Sequence, residues 1–350
     1  MHSVLFRVHK TRTPLALVLA LVAALSLFTA TSARADSSTI RIAIAYDIGG
    51  RGDNGVNDAV NAGITSAMSR FNLSPLQVRA ITTLGTESDR EARLTFLAKA
   101  GYDLIIAVGN GYESALKAVA PTYANIQFAI IGSAQVPLIN VTNIDFAENE
   151  GAFVAGALAA KSSVSGKVGF IADSSPASIQ NLKAFTAGAA SVSKKVVVAP
   201  MLLNAQSTSA ESIRPIVAKL VGSKVDQLFS LWSLTGDVLT SVLATNTTKH
   251  PLQLIGLSPV QYFLHAPNAS TVVAAAITED YARATVDLIS AAVRGNTLSD
   301  ILDSAAGVYG HRYSLRDGGI GCALYSRSAI AARGAIVSAE SLIRSGKAKL

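Results

Sequence analysis

From residue 41 onward, short apolar runs alternate with longer segments of mixed polarity. The run 41–46 is apolar from Ile42 to Tyr46, as in a strand covered on both faces. Asp47 ends it. A turn containing Gly49, Gly50 and Gly52 then leads to Asp53, Asn54 and Asn57, which crowd the entrance of a helix predicted over 58–70. The same alternation predicts strands at 77–81, 104–108 and 127–131, and helices at 88–100 and 112–120. Ser88 is the expected cap of the 88–100 helix, with Asp89 and Glu91 in its first turn. Strand–helix–strand units at this spacing imply parallel pairing through right-handed crossovers.

The pattern restarts after 140–148. A helix over 149–161 carries Gly151, Ala155, Gly156 and Ala159, small residues suited to close packing. Strands follow at 167–172, 195–199, 227–231 and 252–257, with helices at 177–190, 209–220 and 236–244. A last strand–helix unit over 272–294 and a helix over 330–345 complete the chain. Two such runs imply an α/β architecture of two lobes. No Pro/Gly/Ser-rich linker marks the break, so strands crossing a cleft, rather than a flexible tether, are expected to join the lobes. Ligands of open α/β sheets bind outside the carboxyl ends of the strands, where the turn after Tyr46 falls.

Composition changes the picture mainly at the amino terminus. Of 350 residues, 50% are hydrophobic and 15% charged, a globular balance. The net charge of +7 overstates the basicity. Arg7, Lys10, Arg12 and Arg34 lie in the first 35 residues, which hold no acid; beyond them 26 basic residues face 23 acidic ones. No clustered basic face remains to suggest nucleic acid. Residues 1–35 read as a secretory signal: a positive start, an apolar region over 15–30, and Ala33-Arg34-Ala35 as the cleavage site, so that the mature chain begins at Asp36. The apolar region is shorter than the ~20 residues of a spanning helix. Export to the periplasm or the outer face of the membrane is expected. Cys322 is the only cysteine, so no internal disulfide forms, and it reads as a small buried apolar residue.

Tests for chemistry return little. Gly109-Asn110-Gly111 opens a helix after a strand, but Ser114 stands where a dinucleotide fingerprint has its third glycine, and the acid expected about 20 residues on is absent. No phosphate-binding loop and no Gly-x-Ser-x-Gly elbow occurs. His250, His265 and His311 have no partner at metal-ligand spacing and read as surface or loop residues. Neither cofactor nor metal is expected. Asp47 and Asp53 admit three readings: acid–base catalysis, turn and cap chemistry, or recognition of ligand hydroxyls. Trp232 follows the 227–231 strand and is either a core aromatic or a stacking platform in the cleft.

The residues resemble the basic membrane protein family of solute-binding proteins, which serve ABC importers. The family turn Asp-x-Gly-Gly-x-x-Asp-x-Ser-Phe-Asn corresponds to Asp47-Ile-Gly49-Gly50-Arg-Gly-Asp53-Asn-Gly55-Val56-Asn57. Asp103-Leu-Ile-Ile-Ala-Val-Gly109, Asn140-Val-x-Asn-Ile-x-Phe146, Gly166-Lys-Val-Gly-Phe170 and Asp317-Gly-Gly-Ile-Gly321 match in order and spacing. The resemblance implies a type I periplasmic-binding fold, with two doubly wound parallel-sheet lobes, three crossings and a ligand trapped by hinge closure. Typical members hold purine nucleosides between aromatics, with aspartates on the ribose. Here Val56 replaces a stacking Phe, Gly132 and Ser258 replace aspartates, an aliphatic near Leu203 replaces a second aromatic, and Glu279 and Asp280 stand near an expected lysine. Such a pocket is not expected to hold a nucleoside in the usual way.

The expectation is therefore a monomeric, non-catalytic solute-binding protein that delivers a small polar ligand to an ABC permease. Its lobes are 40–145 with 278–300, and 146–277 with 301–350. Asp47, Asp53, Val56, Asn57, Asn110 and Gly132 are its first-lobe ligand residues, and Trp232 and Ser258 those of the second. A ligand sensor signalling to a membrane partner, or an exported hydrolase using Asp47 and Asp53, are the alternatives.

Overall fold

A computed structural model describes residues 40–203, 210–231, 252–258 and 272–350. The first lobe is wound from β1 (Ile42–Tyr46), α1 (Val56–Phe71), β2 (Val78–Thr82), α2 (Glu87–Lys99), β3 (Leu104–Val108), α3 (Glu113–Val119), β4 (Gln127–Ile131) and β5 (Val141–Phe146). The second lobe holds α4 (Glu148–Ser162), β6 (Lys167–Asp173), α5 (Pro176–Val192), β7 (Val197–Leu203), α6 (Ala210–Gly222), β8 (Gln227–Ser230), β9 (Gln253–Ser258) and β10 (Val273–Glu279). After α7 (Tyr281–Val293) come β11 (Asp300–Asp303), β12 (Val308–Tyr313), β13 (Ile320–Leu324), α8 (Arg327–Ala331) and α9 (Arg333–Arg344).

The first sheet runs β11-β12-β5-β4-β3-β1-β2 and the second β13-β10-β9-β8-β6-β7. Only the edge pairs β11–β12 and β10–β13 are antiparallel among the described strands. Alternation within β1 and β3 explains the layering. Ile42, Ile44, Tyr46, Leu104, Ile106 and Val108 face a core shared with α1, while Ala43, Ala45, Ile105 and Ala107 face one shared with α2 and α3. Register sets the strand ends level: Ala45 pairs with Ala107, Val108 with Ile131, and Ile131 with Ile144. Asp47, Gly109 and Gly132 thus leave the sheet side by side.

Three crossings connect the lobes: Ala147 between β5 and α4, Asp280 between β10 and α7, and 314–319 between β12 and β13. They hydrogen-bond to one another. Ala147 N–H donates to the Tyr313 carbonyl (2.8 Å), and Asp280 N–H to that of Gly319 (3.0 Å). Phe146 lies 4.5 Å from the Tyr281 ring and 5.6 Å from that of Tyr313, so aromatic packing accompanies the backbone bonds.

Several elements depart from expectation. Residues 301–313 were expected in the second lobe, but β12 pairs with β5 in the first sheet. Gly310 permits this, since a side chain there would overlap the Asn143 carbonyl. The helix expected from Ser88 begins at Glu87, and Thr86 caps it by accepting Asp89 N–H at 3.2 Å. The expected 330–345 helix divides at Ala332, whose φ of −85° and ψ of 1° leave the helical ladder. His311 lies within β12 rather than in a loop and pairs with Asp300 at 2.5 Å. The helix expected at 236–244, with His250, His265 and residues 1–39, lies outside the described residues. The small residues of α4 do pack closely. A side chain at Gly156 would overlap the Phe185 carbonyl of α5, and one at Gly188 would overlap the Phe153 carbonyl.

Candidate functional site

The turn after β1 is held by its own side chains. Asp53 accepts the backbone N–H groups of Gly55 (2.8 Å), Asn57 (3.1 Å) and Asp58 (3.1 Å), satisfying open amides at the start of α1. The buried Asn57 accepts Asp47 N–H through Oδ1 (3.1 Å) and donates to the Ile48 carbonyl (3.3 Å). Asp58 accepts from Gly52 and Asn54 (2.7 and 2.9 Å). Val56 is half-buried and packs on the main core.

Asp47 leans on a cation from α2. Its Oδ1 lies 2.9 Å from Arg90 Nη2, and Arg90 Nη1 donates to the Gly85 carbonyl at 2.9 Å. The guanidinium sits over the Tyr112 ring at 5.5 Å, and the Tyr112 hydroxyl donates to the Tyr46 carbonyl at 3.1 Å. Burial pushes the Tyr46 and Tyr112 hydroxyls up to about 12, so both stay protonated at neutral pH.

β3 and β4 end beside this turn. Gly109 N–H donates to the Ile131 carbonyl (2.9 Å), and Gly132 N–H to that of Ile144 (2.8 Å). Asn110 is exposed at the same edge. The Ser133 hydroxyl donates to Glu113 at 2.6 Å. A side chain at Gly109 would touch the Asp47 carboxylate, and one at Gly132 would touch Gly109 and the Tyr281 hydroxyl. Asp47, Gly109, Gly132 and Tyr281 therefore form one contiguous line from the first sheet to the crossing.

The second lobe contributes acids at that end. Asp173 closes β6 and accepts Ser175 N–H (2.9 Å) and the Ser178 hydroxyl (2.6 Å). Burial works to raise its carboxyl, but these serine hydrogen bonds hold it below the ordinary value. Glu279 ends β10 and is 6% exposed, with the Tyr281 hydroxyl near enough to act on its carboxyl. Burial first, then the field of Glu148, pushes the Glu279 carboxyl well up. Glu148 opens α4 and accepts the Asn181 amide at 2.8 Å. Its residue is exposed at the surface, yet the crowding of its carboxyl by protein raises it, with the Asn181 hydrogen bond acting the other way. Ser258 ends β9, but its side chain, like all of Trp232, lies outside the described residues. Among the described residues no group of three or more His, Cys, Asp or Glu is placed to hold a metal ion.

Of the expected ligand residues, Asp47, Asn110 and Gly132 stand at neighbouring strand ends, while Asp53, Val56 and Asn57 build the turn behind them. Arg90, Glu148 and Tyr281 escaped the sequence reading. Arg90 meets Asp47 across 43 positions, and nothing local in the chain signals the pairing. Glu148 offered one signal, an acid opening a helix directly after a strand. None of the described helices is long and apolar enough to cross a membrane.

A family model described as ABC transporter substrate-binding protein, PnrA-like, matches residues 40–321. The ABC transporter nucleoside-binding protein BmpA of Lactococcus lactis is 27% identical over 230 residues, covering 64% of this chain and 65% of that protein. A CD4+ T-cell-stimulating antigen of Listeria innocua is 28% identical over 153 residues, 43% of each chain. The chain thus spans less than two thirds of the length of either relative. Among solved structures, an ABC transporter solute-binding protein of Aeropyrum pernix superposes with a TM-score of 0.66 at 18% identity, over 88% of this chain and 92% of that one. A transcriptional activator of the comK gene from Bacillus halodurans gives 0.69 at 16% identity, over 89% and 100%. These likenesses show the fold, the type I periplasmic-binding architecture of two α/β lobes. With the family model matched over most of its length, the chain belongs to the family of PnrA-like ABC transporter substrate-binding proteins.

Proposed function

We propose that this chain captures a small polar solute in a cleft between its two lobes, outside the cell membrane, and hands it to an ABC permease. The observation that carries the reading is the contiguous line of Asp47, Gly109, Gly132 and Tyr281. It brings the carboxyl ends of three parallel strands, the usual ligand position of such sheets, against the lobe crossing. Asp47, Asn110 and Gly132 contact the ligand from the first lobe, and Trp232 and Ser258 from the second. Asp53, Asn57 and Val56 shape the turn that presents Asp47. No catalysis is assigned, because the carboxylates of Asp47 and Asp53 are committed to Arg90 and to backbone amides. The leader is removed after Ala35, and the mature chain acts as a monomer. The name of the Lactococcus lactis relative makes nucleosides the first solutes to try.

The test is thermal melting of the purified mature chain, 36–350, with nucleosides, sugars and amino acids. At a hundredfold excess over Kd a bound solute stabilises by about 2.7 kcal/mol, which raises Tm by about 4 °C. No shift with any member of the panel overturns the reading.

A further inference from the structure

We infer that the solute carries a positively charged amine, held between Glu279 and Glu148 where the lobes cross. This rests on the solute-binding reading above and names the chemistry of its ligand. Glu279 is the last residue of β10 before the Asp280 crossing, and Glu148 the first of α4 after the Ala147 crossing. Glu279 is 6% exposed, and its Oε1 has no hydrogen-bond partner among the described residues. The Tyr281 hydroxyl lies near its carboxyl, and of the charged groups Glu148 acts on it most strongly. A buried carboxylate oxygen with an open acceptor site and an acid for a neighbour calls for a cationic donor.

The other carboxylates of this region are already answered, although Arg90 Nε beside Asp47 is itself buried without a partner. Asp145 pairs with Arg312 at 2.7 Å. Asp173 is saturated by Ser175 and Ser178. Arg283 is bound to the Asp317 carbonyl and lies 3.6 Å from Asp287. Across the strand ends, Asp47 has Arg90. Among the described residues no lysine or arginine is hydrogen-bonded or ion-paired to either glutamate. Glu148 uses its Oε2 for Asn181 and remains open to solvent, which gives the pair an accessible side.

The location suits a ligand group. The Tyr281 hydroxyl, which acts on Glu279, also lies against Gly132, one of the first-lobe strand ends. An ammonium placed here donates to Glu279 Oε1, has Glu148 as its second acid, and leaves the body of the solute toward Asp47 and Asn110. Crowding favours the protonated carboxyl in the empty site; an ammonium reverses that preference by favouring the ionised form. The first lobe, where the carboxylate is already neutralised, reads uncharged parts of the ligand.

The experiment compares matched pairs by isothermal titration calorimetry at pH 7.5: 5′-amino-5′-deoxyadenosine with adenosine, glucosamine with glucose, and putrescine with 1,4-butanediol. The amine of at least one pair is expected to bind at least tenfold more tightly than its neutral partner. Glu279→Gln and Glu148→Gln should each cut that preference at least fivefold. If one variant fails to fold, the other decides. Equal or weaker binding of the amines, or a preference that survives the substitutions, overturns the inference. If only neutral solutes of the wider panel bind, the amine site falls and solute capture stands. If nothing binds, both fall.

Discussion

The glycine-rich turn after β1 and the crossing around Glu279 hold comparable numbers of acids but treat them differently. In the turn every carboxylate is spoken for: Asp53 and Asp58 collect backbone amides, and Asp47 has Arg90. At the crossing, Glu279 keeps an open oxygen inside the protein and Glu148 offers a crowded carboxylate to solvent. The turn spends its carboxylates on its own shape, leaving only Arg90 Nε beside it buried without a partner. The crossing holds charge that the fold alone does not satisfy, and an unsatisfied buried group in a native structure asks for an explanation beyond stability. Sequence reading favours the turn as the ligand site because its polar residues are concentrated, yet concentration there is what allows them to satisfy one another.

Three measurements press on this contrast. The largest effect is expected at the turn's anchor. Arg90→Met removes the partner of Asp47 and the donor to Gly85, and should lower unfolding stability by about 2–3 kcal/mol in urea titration. A loss below half of that would mean that Asp47 does not depend on Arg90. Next comes Asp53→Ala, which strips the cap of α1 and should cost about 1–2 kcal/mol, while Asp53→Asn keeps much of the capping. The subtlest effect concerns pH. The Glu279 carboxyl is raised well above 4.5 by burial and by Glu148. Just above pH 4.5 the folded chain therefore keeps a proton that the unfolded chain has shed. Its contribution is complete below that pH and is lost as pH rises through the raised value, so ligand-free stability falls across this window. Glu279→Gln has nothing to titrate, and its Tm should vary less between pH 4.5 and 8.5. Identical slopes for the two proteins would remove Glu279 from the account.

Much of the architecture was readable because it depends on local pattern. β1, β3 and β4 are short apolar runs, and the turn after Tyr46 announces itself by its glycines. The crossings were harder to see, since Ala147 and Asp280 are single residues between elements. β12 was placed in the wrong lobe because chain order suggested the second sheet, while its partner β5 lies far back in the sequence. Thr86 displaced Ser88 as the cap, a shift that a serine–threonine-rich entrance leaves open to either residue. The site was less legible still. Asp47 and Gly132 stand out as strand-end residues, but the ion pair with Arg90 and the field of Glu148 on Glu279 arise only when distant segments meet. Glu279 drew notice through the resemblance alone, as an acid near an expected lysine.

The aromatic contact of Phe146 with Tyr281 and Tyr313 sits where the chain passes from one sheet to the other. These rings belong to the same buried cluster as Ile42 and Val108 of the first sheet and Phe170 and Phe229 of the second. One of the three buried clusters of the described residues therefore runs from one sheet into the other, while the other two each belong to a single lobe. This shared cluster is expected to couple the unfolding of the two sheets. Denaturant should dissolve both in one transition, with the hinge itself among the last regions to exchange its amide hydrogens.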